Sequence, residues 1–539
     1  MYKENIEKLI KNVWFIVPVI LTTILSFGYV VNNTAISVDT LSGNRYFSEG
    51  ELIAQGRFTA TLIHKIFNVM EFNPFFVDTL AVVFLVISSI VMCSLFMTIS
   101  QGKIKDIAYT IFSCIFVSYP LINEIFVYTP AGLSVGIGYF MIAVSLILMY
   151  EMIKNNKKIN IIISIILVCF AISLYESFAA VYLCGAVMVV ILNYIYSDST
   201  HEKTFKRNLK YAIVLLIVVI VAVILNSVIG KVLKSVLNIA SSGNAAKTIT
   251  YSSMGLIGGI KTLIKTTIKN YVLGGLYYLP LTSLMIAMLG LVVLIIISTI
   301  KKRYLLSFMY IALIITTFSL SIIQGLASPY RTCQTFGLVI GFVLMIFAQE
   351  ILLCNRKIWV KNLLITLIFI LVFYQAKDLH KWFYLNNLRY EEEKNIVISI
   401  GNKLESEHDT TKPVIFTGGV GVSNKITEAT YLKSNTVSAK IIKKVADVAG
   451  VGAYDFNAEY ILKYPETNVN SYLAWALYAF PLDKDANPEL IKMFNYFGYD
   501  IKGADKKMYN RAVEENKDMK KWPKKGSIVE TEEYILVML

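Results

Sequence analysis

Long apolar segments separated by short polar ones recur along the first 376 residues of the chain. A bilayer core of about 30 Å is crossed by roughly 20 apolar residues in a helix. Eleven segments have or approach this length, so the pattern predicts about eleven transmembrane helices. They lie at about 13–31, 77–99, 107–122, 132–150, 159–173, 175–196, 211–230, 279–299, 304–324, 335–353 and 359–376. The fifth and sixth are separated by so few residues that a re-entrant pair is an alternative.

The pattern changes after Ala376. A helical stretch around residues 390–404 precedes the buried strand pattern Val414–Phe416, which ends at Gly418-Gly419, and a closing strand is expected near residues 528–538. The glycine spacing fits neither a dinucleotide fingerprint nor a phosphate loop. We therefore expect a transmembrane domain over residues 1–376 and a small α/β domain over residues 377–539.

The charge is distributed unevenly between these parts. Residues 377–539 carry 23 basic and 23 acidic side chains, so the net charge of +14 belongs to residues 1–376. With a cytoplasmic N-terminus, the positive-inside rule accounts for 18 of its 28 Lys and Arg side chains. We therefore predict an extracytoplasmic C-terminal domain and attribute the basic excess to topology rather than to nucleic-acid binding. The six cysteines lie within or beside spans, and no disulfide framework is expected.

The first outer loop, residues 32–76, is long and rich in reactive side chains. Between Glu51 and Val69 apolar residues recur at helical spacing, which predicts one amphipathic helix on the outer membrane surface. That helix would hold Arg57 at the level of lipid phosphates. The other side chains of this loop that can do chemistry are Asp39, Arg45, Glu49, Glu51 and His64.

A second basic, amphipathic pattern occurs in the outer loop at residues 231–278. Lys261, Lys265 and Lys269 follow one another at four-residue steps. Two interpretations are open: a surface helix whose lysines extend toward anionic headgroups, or the entrance for a lipid carrier.

Ionisable groups also stand at the outer ends of three spans. They belong to the sequences Tyr119-Pro120 to Glu124, Tyr175-Glu176, and Pro329-Tyr330-Arg331. Charges at or in a membrane are costly and usually face a cavity or a partner, so each is a site hypothesis. For Glu176 the alternative is a structural ion pair with Arg331 or Arg57.

The candidate charges thus gather on the predicted outer face. A transfer reaction from a lipid phosphate needs a carboxylate that accepts a proton from the acceptor hydroxyl and cations that stabilise the phosphate leaving group. Asp39 is placed for the first role, although a cap after the first span is its alternative function. Arginine suits the second, because its planar fork matches a phosphate.

At these residues the chain resembles the Gtr type II glucosyltransferases that modify bacterial O-antigens. The resemblance begins at Ser37-Val38-Asp39 and Arg45, continues through Gln55-Gly56-Arg57-Phe58, and includes the three span-end sequences in the same order. It covers most of residues 10–376. The family often has two adjacent acidic residues in the first loop, whereas the second position is Thr40 here.

The resemblance implies an α-helical polytopic membrane protein of the GT-C type, with amphipathic outer-surface helices. It further implies an undecaprenyl-phosphate-linked sugar as donor, a cell-surface glycan as acceptor, and a site in the cell membrane. Asp39 is the expected base, with Glu49 or Glu51 as substitutes, and Arg57, Arg331 and Arg45 are expected to hold the donor phosphate. Glu124, Tyr175, Glu176 and Tyr330 are expected to bind substrate or act as alternative acid or base. No metal or other cofactor is expected.

Two other function classes remain open at this stage. A glycan polymerase or ligase would share the arginine chemistry but use a pyrophosphate-linked donor. A lipid or solute transporter would need charged groups in mid-span and broken helices in matching halves. Apart from Glu176, the predicted spans contain no such charges.

Overall fold

The computed structural model describes most of the chain. The described residues are 1–33, 35, 49–69, 74–196, 201–240, 249–272, 282–354, 356–420, 423–430, 440, 443–444, 447–448, 471–478, 486–516 and 518–539. They form two compact units, one made mainly of residues up to Phe383 and the other running from Tyr384 to Leu539. The border falls within a single helix.

The first unit is entirely helical among the described residues. Its helices are α1 (Tyr2–Lys11), α2 (Val13–Asn32), α3 (Glu49–Ala54), α4 (Phe58–Ile66), α5 (Pro74–Ile99), α6 (Asp106–Val117), α7 (Asn123–Phe126), α8 (Thr129–Asn155), α9 (Ile159–Leu174), α10 (Phe178–Tyr196), α11 (His201–Val236), α12 (Thr250–Thr267), α13 (Thr282–Ile300), α14 (Tyr304–Thr317), α15 (Ser319–Gln324), α16 (Gln334–Leu353) and α17 (Ile358–Glu407). Single 3-10 turns occupy Pro120–Ile122 and Tyr330–Thr332, and a π-helical turn occupies Ile268–Val272.

Each of the eleven expected spans contains an apolar helix, although the ninth, 304–324, is divided at Phe318 into α14 and α15. Nine helical segments within the described residues are long and apolar enough to cross a membrane, and α9 and α14 are shorter apolar helices. The chain is therefore a polytopic helical membrane protein, as the hydrophobic pattern predicts.

The third expected span, residues 107–122, is not one continuous α-helix. Helix α6 ends at Val117, and Tyr119 has extended backbone angles (φ −65°, ψ 122°). Pro120 explains the break, because its ring disfavours α-helical geometry in the preceding residue and it lacks a backbone N–H. The chain continues through the 3-10 turn into α7, which carries Glu124.

Helix α17 is longer than the sequence pattern predicts. The span expected at 359–376 and the helix expected around 390–404 form one helix of 50 residues, α17. No proline or glycine occurs between Ile358 and Ile400, so nothing in the backbone ends the helix where the apolar pattern stops.

Close helix packing in the first unit depends on small residues. A Cβ at Gly136 of α8 would lie 2.5 Å from the carbonyl oxygen of Ala81 on α5, and one at Gly138 would overlap the ring of Phe178 on α10. Such close approach is typical of transmembrane helices, which associate mainly through van der Waals packing.

Side-chain contacts join several helix ends at one end of the bundle, which we call the basic end. Asn12 Nδ2 donates to Asp106 Oδ2 at 3.0 Å, and Lys105 N donates to Gln349 Oε1 at 2.9 Å. Lys301 Nζ lies 3.9 Å from Glu350 Oε2 at the same end. The short segments that join the helices here are those to which the sequence assigns the 18 basic side chains.

The second unit contains a small sheet with helices. Its strands are β1 (Val414–Thr417), β2 (Ile528–Glu530) and β3 (Ile535–Met538), and its further helices are α18 (Asn424–Thr430), α19 (Tyr472–Tyr478), α20 (Pro488–Tyr496) and α21 (Lys506–Glu515). Strand β3 is central, parallel to β1 and antiparallel to β2. The closing strand expected near 528–538 is thus two strands joined by a turn.

The glycine turn expected after β1 is present. Gly418 has φ +91°, and a Cβ there would lie 2.5 Å from the carbonyl oxygen of Leu539. The N–H of Gly419 donates to that same oxygen at 2.9 Å. This N–H therefore closes the sheet edge and is not directed at a phosphate.

A buried ion pair links α17 to α19 within this unit. Glu393 and Arg389 are each only 2% exposed and lie 3.1 Å apart. Glu393 also accepts hydrogen bonds from Ser471 Oγ at 2.7 Å and Leu473 N at 3.2 Å. Burial raises the pKa of Glu393, and Arg389 opposes that rise. The carboxylate of Glu393 thus has three partners, Arg389, Ser471 and the backbone of Leu473.

We predict that Glu393→Ala destabilises the contact with α19 by about 3–5 kcal/mol, because the buried charge of Arg389 loses its carboxylate. Hydrogen exchange of the α19 amides in the full-length protein measures this. Glu391→Ala is the matched control, since Glu391 is 45% exposed in its pair with Lys394 and its loss should cost at most about 1 kcal/mol. Equal exchange in both variants would contradict the prediction.

Candidate functional site

The single surface helix expected between Glu51 and Val69 is two short helices, α3 and α4. Gly56 has φ +82°, its N–H donates to Ile53 O at 2.9 Å, and Arg57 N donates to Leu52 O at 2.7 Å. This pair of bonds is a Schellman motif, which ends a helix at a glycine in the left-handed conformation. Gly56 thus turns the chain and places Arg57 at the start of α4.

Helix α4 packs against the bundle through its polar side. The side chains of Thr59 and His64 are buried, Thr59 contacts Ser173 by a short hydroxyl hydrogen bond, and His64 Nε2 lies 3.1 Å from Pro130 O. Leu62 and Ile66 are exposed on the other side. The apolar stripe therefore faces outward, as a membrane-surface helix requires, while polar contacts fix the helix on α8 and α9.

Arg57 is held by the segment between α9 and α10. Its Nη2 lies 3.3 Å from Glu176 Oε2, and its guanidinium carbon is 4.6 Å above the ring of Tyr175. Burial disfavours the charged form, but Glu176 and Tyr175 outweigh burial and raise the pKa of Arg57 above its ordinary value. The guanidinium is therefore fixed in place and charged. Its Nε has no hydrogen-bond partner among the described residues.

A second arginine is paired in the same manner. Arg331 Nη1 lies 3.8 Å from Glu124 Oε1, and the backbone N–H of Arg331 donates to Glu124 Oε2 at 2.9 Å. The carboxylate of α7 thus positions both the backbone and the side chain of the turn at Tyr330–Thr332. Arg331 is 45% exposed, so its guanidinium remains accessible to solvent or ligand.

The turn that carries Arg331 is also anchored by the segment after α11. Thr266 Oγ1 accepts from Ala327 N at 2.7 Å, the Tyr330 hydroxyl donates to Asn270 O at 2.6 Å, and the Tyr271 hydroxyl donates to Ser328 O at 2.7 Å. The basic helix with Lys261 and Lys265, together with the π-helical turn that follows it, therefore holds the chain next to Arg331 through the neighbours Ala327, Ser328 and Tyr330.

Tyr175, which is 5% exposed, contacts the first of these two pairs through its ring. The charges of Arg57, Arg331, Glu176 and Glu124 all act electrostatically on its hydroxyl. The site thus contains two guanidinium groups, each paired with a carboxylate, whose charges act on the same phenol. It can bind an anion whose oxygens replace one or both carboxylates on the arginines.

The remaining sequence candidates have the following positions. Tyr330 is buried in the 3-10 turn beside Arg331. Glu51 lies on α3 and accepts from Gln55 Nε2 at 3.2 Å. Asp39 and Arg45 lie outside the described residues, and for Glu49 only the backbone is described. Glu176 pairs with Arg57, one of the two structural partners considered for it.

No metal centre is found in the described part of the chain. No three or more His, Cys, Asp or Glu side chains there are grouped closely enough to hold an ion. All six cysteines are free thiols, and Cys333 lies next to the Arg331 turn, where its sulfur is 3.3 Å from the Tyr271 hydroxyl.

Comparison with known families decides the class of this site. A family model described as glucosyl transferase GtrII matches residues 28–335, which is more than half of the chain and includes every candidate residue named above. The chain belongs to the GtrII glucosyl transferase family. As a GtrII family member, it is a membrane glycosyltransferase. No curated protein matches the chain significantly.

Several residues that build this GtrII site were not among the sequence candidates. Gly56 is visible in the sequence as a glycine after a helical pattern, and that signal predicts a helix end. Thr266, Asn270 and Ser328 gave no usable signal, because their contacts join segments about 60 residues apart. Only the tertiary structure shows that the outer loop at residues 231–278 contacts the segment that carries Arg331.

We expect Glu124 to set the conformation of the Arg331 turn. Glu124→Ala removes the acceptor of the Arg331 N–H, and the loss of a hydrogen bond to a charged group should speed exchange of that amide roughly 10-fold or more. Glu124→Gln keeps an oxygen in place and should preserve most of the protection. Hydrogen exchange of the segment 328–333 in the full-length protein measures both, and equal protection in all three proteins would refute this role.

Proposed function

We propose that this GtrII family member transfers a hexose, such as glucose, from a polyprenyl-phosphate carrier to a cell-surface glycan on the outer face of the membrane. The observation that carries the proposal is the pairing of Arg57 with Glu176 and of Arg331 with Glu124 at the same end of the bundle. Two arginines held in place at a bundle end suit a phosphate that stays attached to a membrane lipid.

In the proposed reaction, an acceptor hydroxyl attacks the anomeric carbon of the donor sugar. The hydroxyl proton passes to the carboxylate of Asp39, and the bond between the anomeric carbon and the phosphate oxygen breaks. The bonding electrons remain on that oxygen, so polyprenyl phosphate leaves as a monoester with one more negative charge. Arg57 and Arg331 stabilise this developing charge, and Arg45 of the first loop is proposed to assist them.

The proposal needs no divalent metal. Arginine has a permanent positive charge and two parallel N–H donors, so it can neutralise a phosphate without an ion. The pairing of Arg57 with Glu176 and of Arg331 with Glu124 keeps both guanidinium groups oriented before the donor binds. The carboxylates then have separate roles, because Glu124 and Glu176 hold the arginines while Asp39 takes the proton.

The outer face is supported by the position of the cluster relative to the basic loops. The segments that join the transmembrane helices alternate along the chain between the basic end of the bundle and the opposite end. The opposite end carries the four residues of the two ion pairs, Arg57, Glu176, Glu124 and Arg331. Basic loops are typical of the cytoplasmic side. A donor presented on the other side has already been flipped, and its carrier phosphate then lies at headgroup level.

We predict that Asp39→Asn lowers kcat about 10²–10⁴-fold, the usual contribution of a general base. Transfer from glucosyl phosphoryl polyprenol to cell-surface glycan by the purified full-length protein, in EDTA, is the assay. Glu49→Gln and Glu51→Gln are matched controls that should retain activity. If Asp39→Asn is active and one of the two glutamate variants is inactive, that glutamate is the base instead. A requirement for added Mg²⁺ would overturn the metal-free chemistry.

We further predict that Arg57→Ala and Arg331→Ala each lower kcat about 10²–10³-fold, because each removes a donor that stabilises the leaving phosphate. Arg57→Lys should recover little, since a lysine cannot reproduce the planar stacking on Tyr175. Arg356→Ala, at an exposed arginine of the opposite end, is the control. Activity only with a pyrophosphate-linked donor would instead support a polymerase or ligase.

A further inference from the structure

A groove open to the side of the bundle runs between three helices of the first unit. Its floor is α10, and α11 and α14 form its walls, each packed against α10. The groove encloses about 360 Å³. Its lining is mostly apolar and includes Leu183 and Val190 from the floor, Leu216 from one wall, and Phe308 and Ala312 from the other.

The length of the groove fits one leaflet of a bilayer. Along α14 the lining extends from Leu305 to Thr316. At 1.5 Å per helical residue these positions are separated by about 16 Å, and half of a bilayer core is about 15 Å. Phe308 and Leu216 are 68% and 49% exposed at the rim, so the groove opens toward the surrounding lipid.

One buried polar atom in this groove has no hydrogen-bond partner in the described part of the chain. Asn208 is 1% exposed and lines the groove near its basic end. Its Oδ1 accepts a hydrogen bond from Asn193 Nδ2 at 2.5 Å, whereas its Nδ2 has no partner among the described residues. An amide N–H left unsatisfied in hydrocarbon is destabilising. A hydrocarbon chain cannot satisfy it, whereas an occupant with an acceptor oxygen can.

The same end of the groove is positively charged. Arg207 precedes Asn208, Lys210 follows it by two residues and is exposed, and Lys301, Lys302 and Arg303 are exposed immediately before α14. Glu350 faces Lys301 at 3.9 Å and is the acidic neighbour on α16. Basic residues near a membrane surface attract anionic headgroups.

We propose that this groove binds an anionic glycerophospholipid from the leaflet at the basic end. One acyl chain lies along α10 between α11 and α14. A phosphate or ester oxygen accepts the free N–H of Asn208, and the headgroup charge lies beside Arg207 and Arg303. This site is at the opposite end of the bundle from the Arg57 and Arg331 cluster, and it does not depend on the proposed function.

The test counts lipids that stay bound to the purified full-length protein. The protein is equilibrated with equal amounts of phosphatidylglycerol and phosphatidylcholine and analysed by native mass spectrometry. We expect one retained phosphatidylglycerol, favoured about 10-fold over phosphatidylcholine. Equal retention of the two lipids would overturn the proposal.

Two variants on α11 provide a matched comparison. Leu216→Trp fills the groove and should abolish retention, whereas Ile224→Trp, at a position of similar exposure outside the lining, should keep it. Both variants should elute as the wild type does in size-exclusion chromatography. The same lipid count in both would overturn the location of the site.

Asn208→Asp tests the polar contact. It keeps the acceptor for Asn193 but removes the N–H donor and adds a negative charge, so phosphatidylglycerol retention should fall at least 10-fold. Unchanged retention would overturn the role of Asn208. Displacement of phosphatidylglycerol by equimolar polyprenyl phosphate would overturn the assignment to a phospholipid and identify the groove as a carrier-lipid site.

Discussion

The ion pair between Arg57 and Glu176, closed by the ring of Tyr175, is the contact on which the organisation of the candidate site depends. A guanidinium that is largely withdrawn from water needs compensating charge and hydrogen bonds. Glu176 supplies both at 3.3 Å, and the Tyr175 ring adds a cation–π contact. Arg57 reaches this place because Gly56 ends α3. Glu176 reaches it because the chain is not helical between Leu174 and Phe178. The site is therefore built at two helix breaks.

The second pair follows the same rule with different chain geometry. Pro120 interrupts α6 and brings Glu124 to the end of the bundle, and Pro329 precedes the turn that carries Arg331. Proline and glycine thus place the charges of the site at the bundle end, while the apolar helices provide the frame. In membrane proteins, non-helical backbone at such positions is tolerated where it is buried in protein or lines a cavity.

The fold was largely predictable from the sequence, because hydrophobic length is a strong constraint in a bilayer. All eleven apolar helices lie where the pattern indicates, and the β1 strand with Gly418 was recognised from local residues. Predictions failed where one local feature competed with the pattern: Gly56 divided the surface helix, and Pro120 divided the third span. The long α17 shows the reverse case, in which apolar character ends but helical backbone continues.

For the candidate site, the sequence indicated which residues to examine but not their pairing. Glu176 had two possible arginine partners, and only the structure assigns it to Arg57. The support of the Arg331 turn by Thr266 and Asn270 was not predictable, since hydrogen bonds to backbone groups across about 60 residues leave no periodic pattern.

The exposure of the two pairs suggests how the proposed site accommodates a phosphate. Glu176 is 55% exposed, and Arg331 is 45% exposed at 3.8 Å from Glu124. A largely exposed Glu176 can return to water when it leaves Arg57, and the incoming phosphate then supplies the compensating charge that this guanidinium needs. The less exposed partners, Arg57 and Glu124, then stay in place while the more exposed partners adjust. In the proposed reaction, this asymmetry keeps one fixed and one adjustable guanidinium on the leaving group as its charge increases.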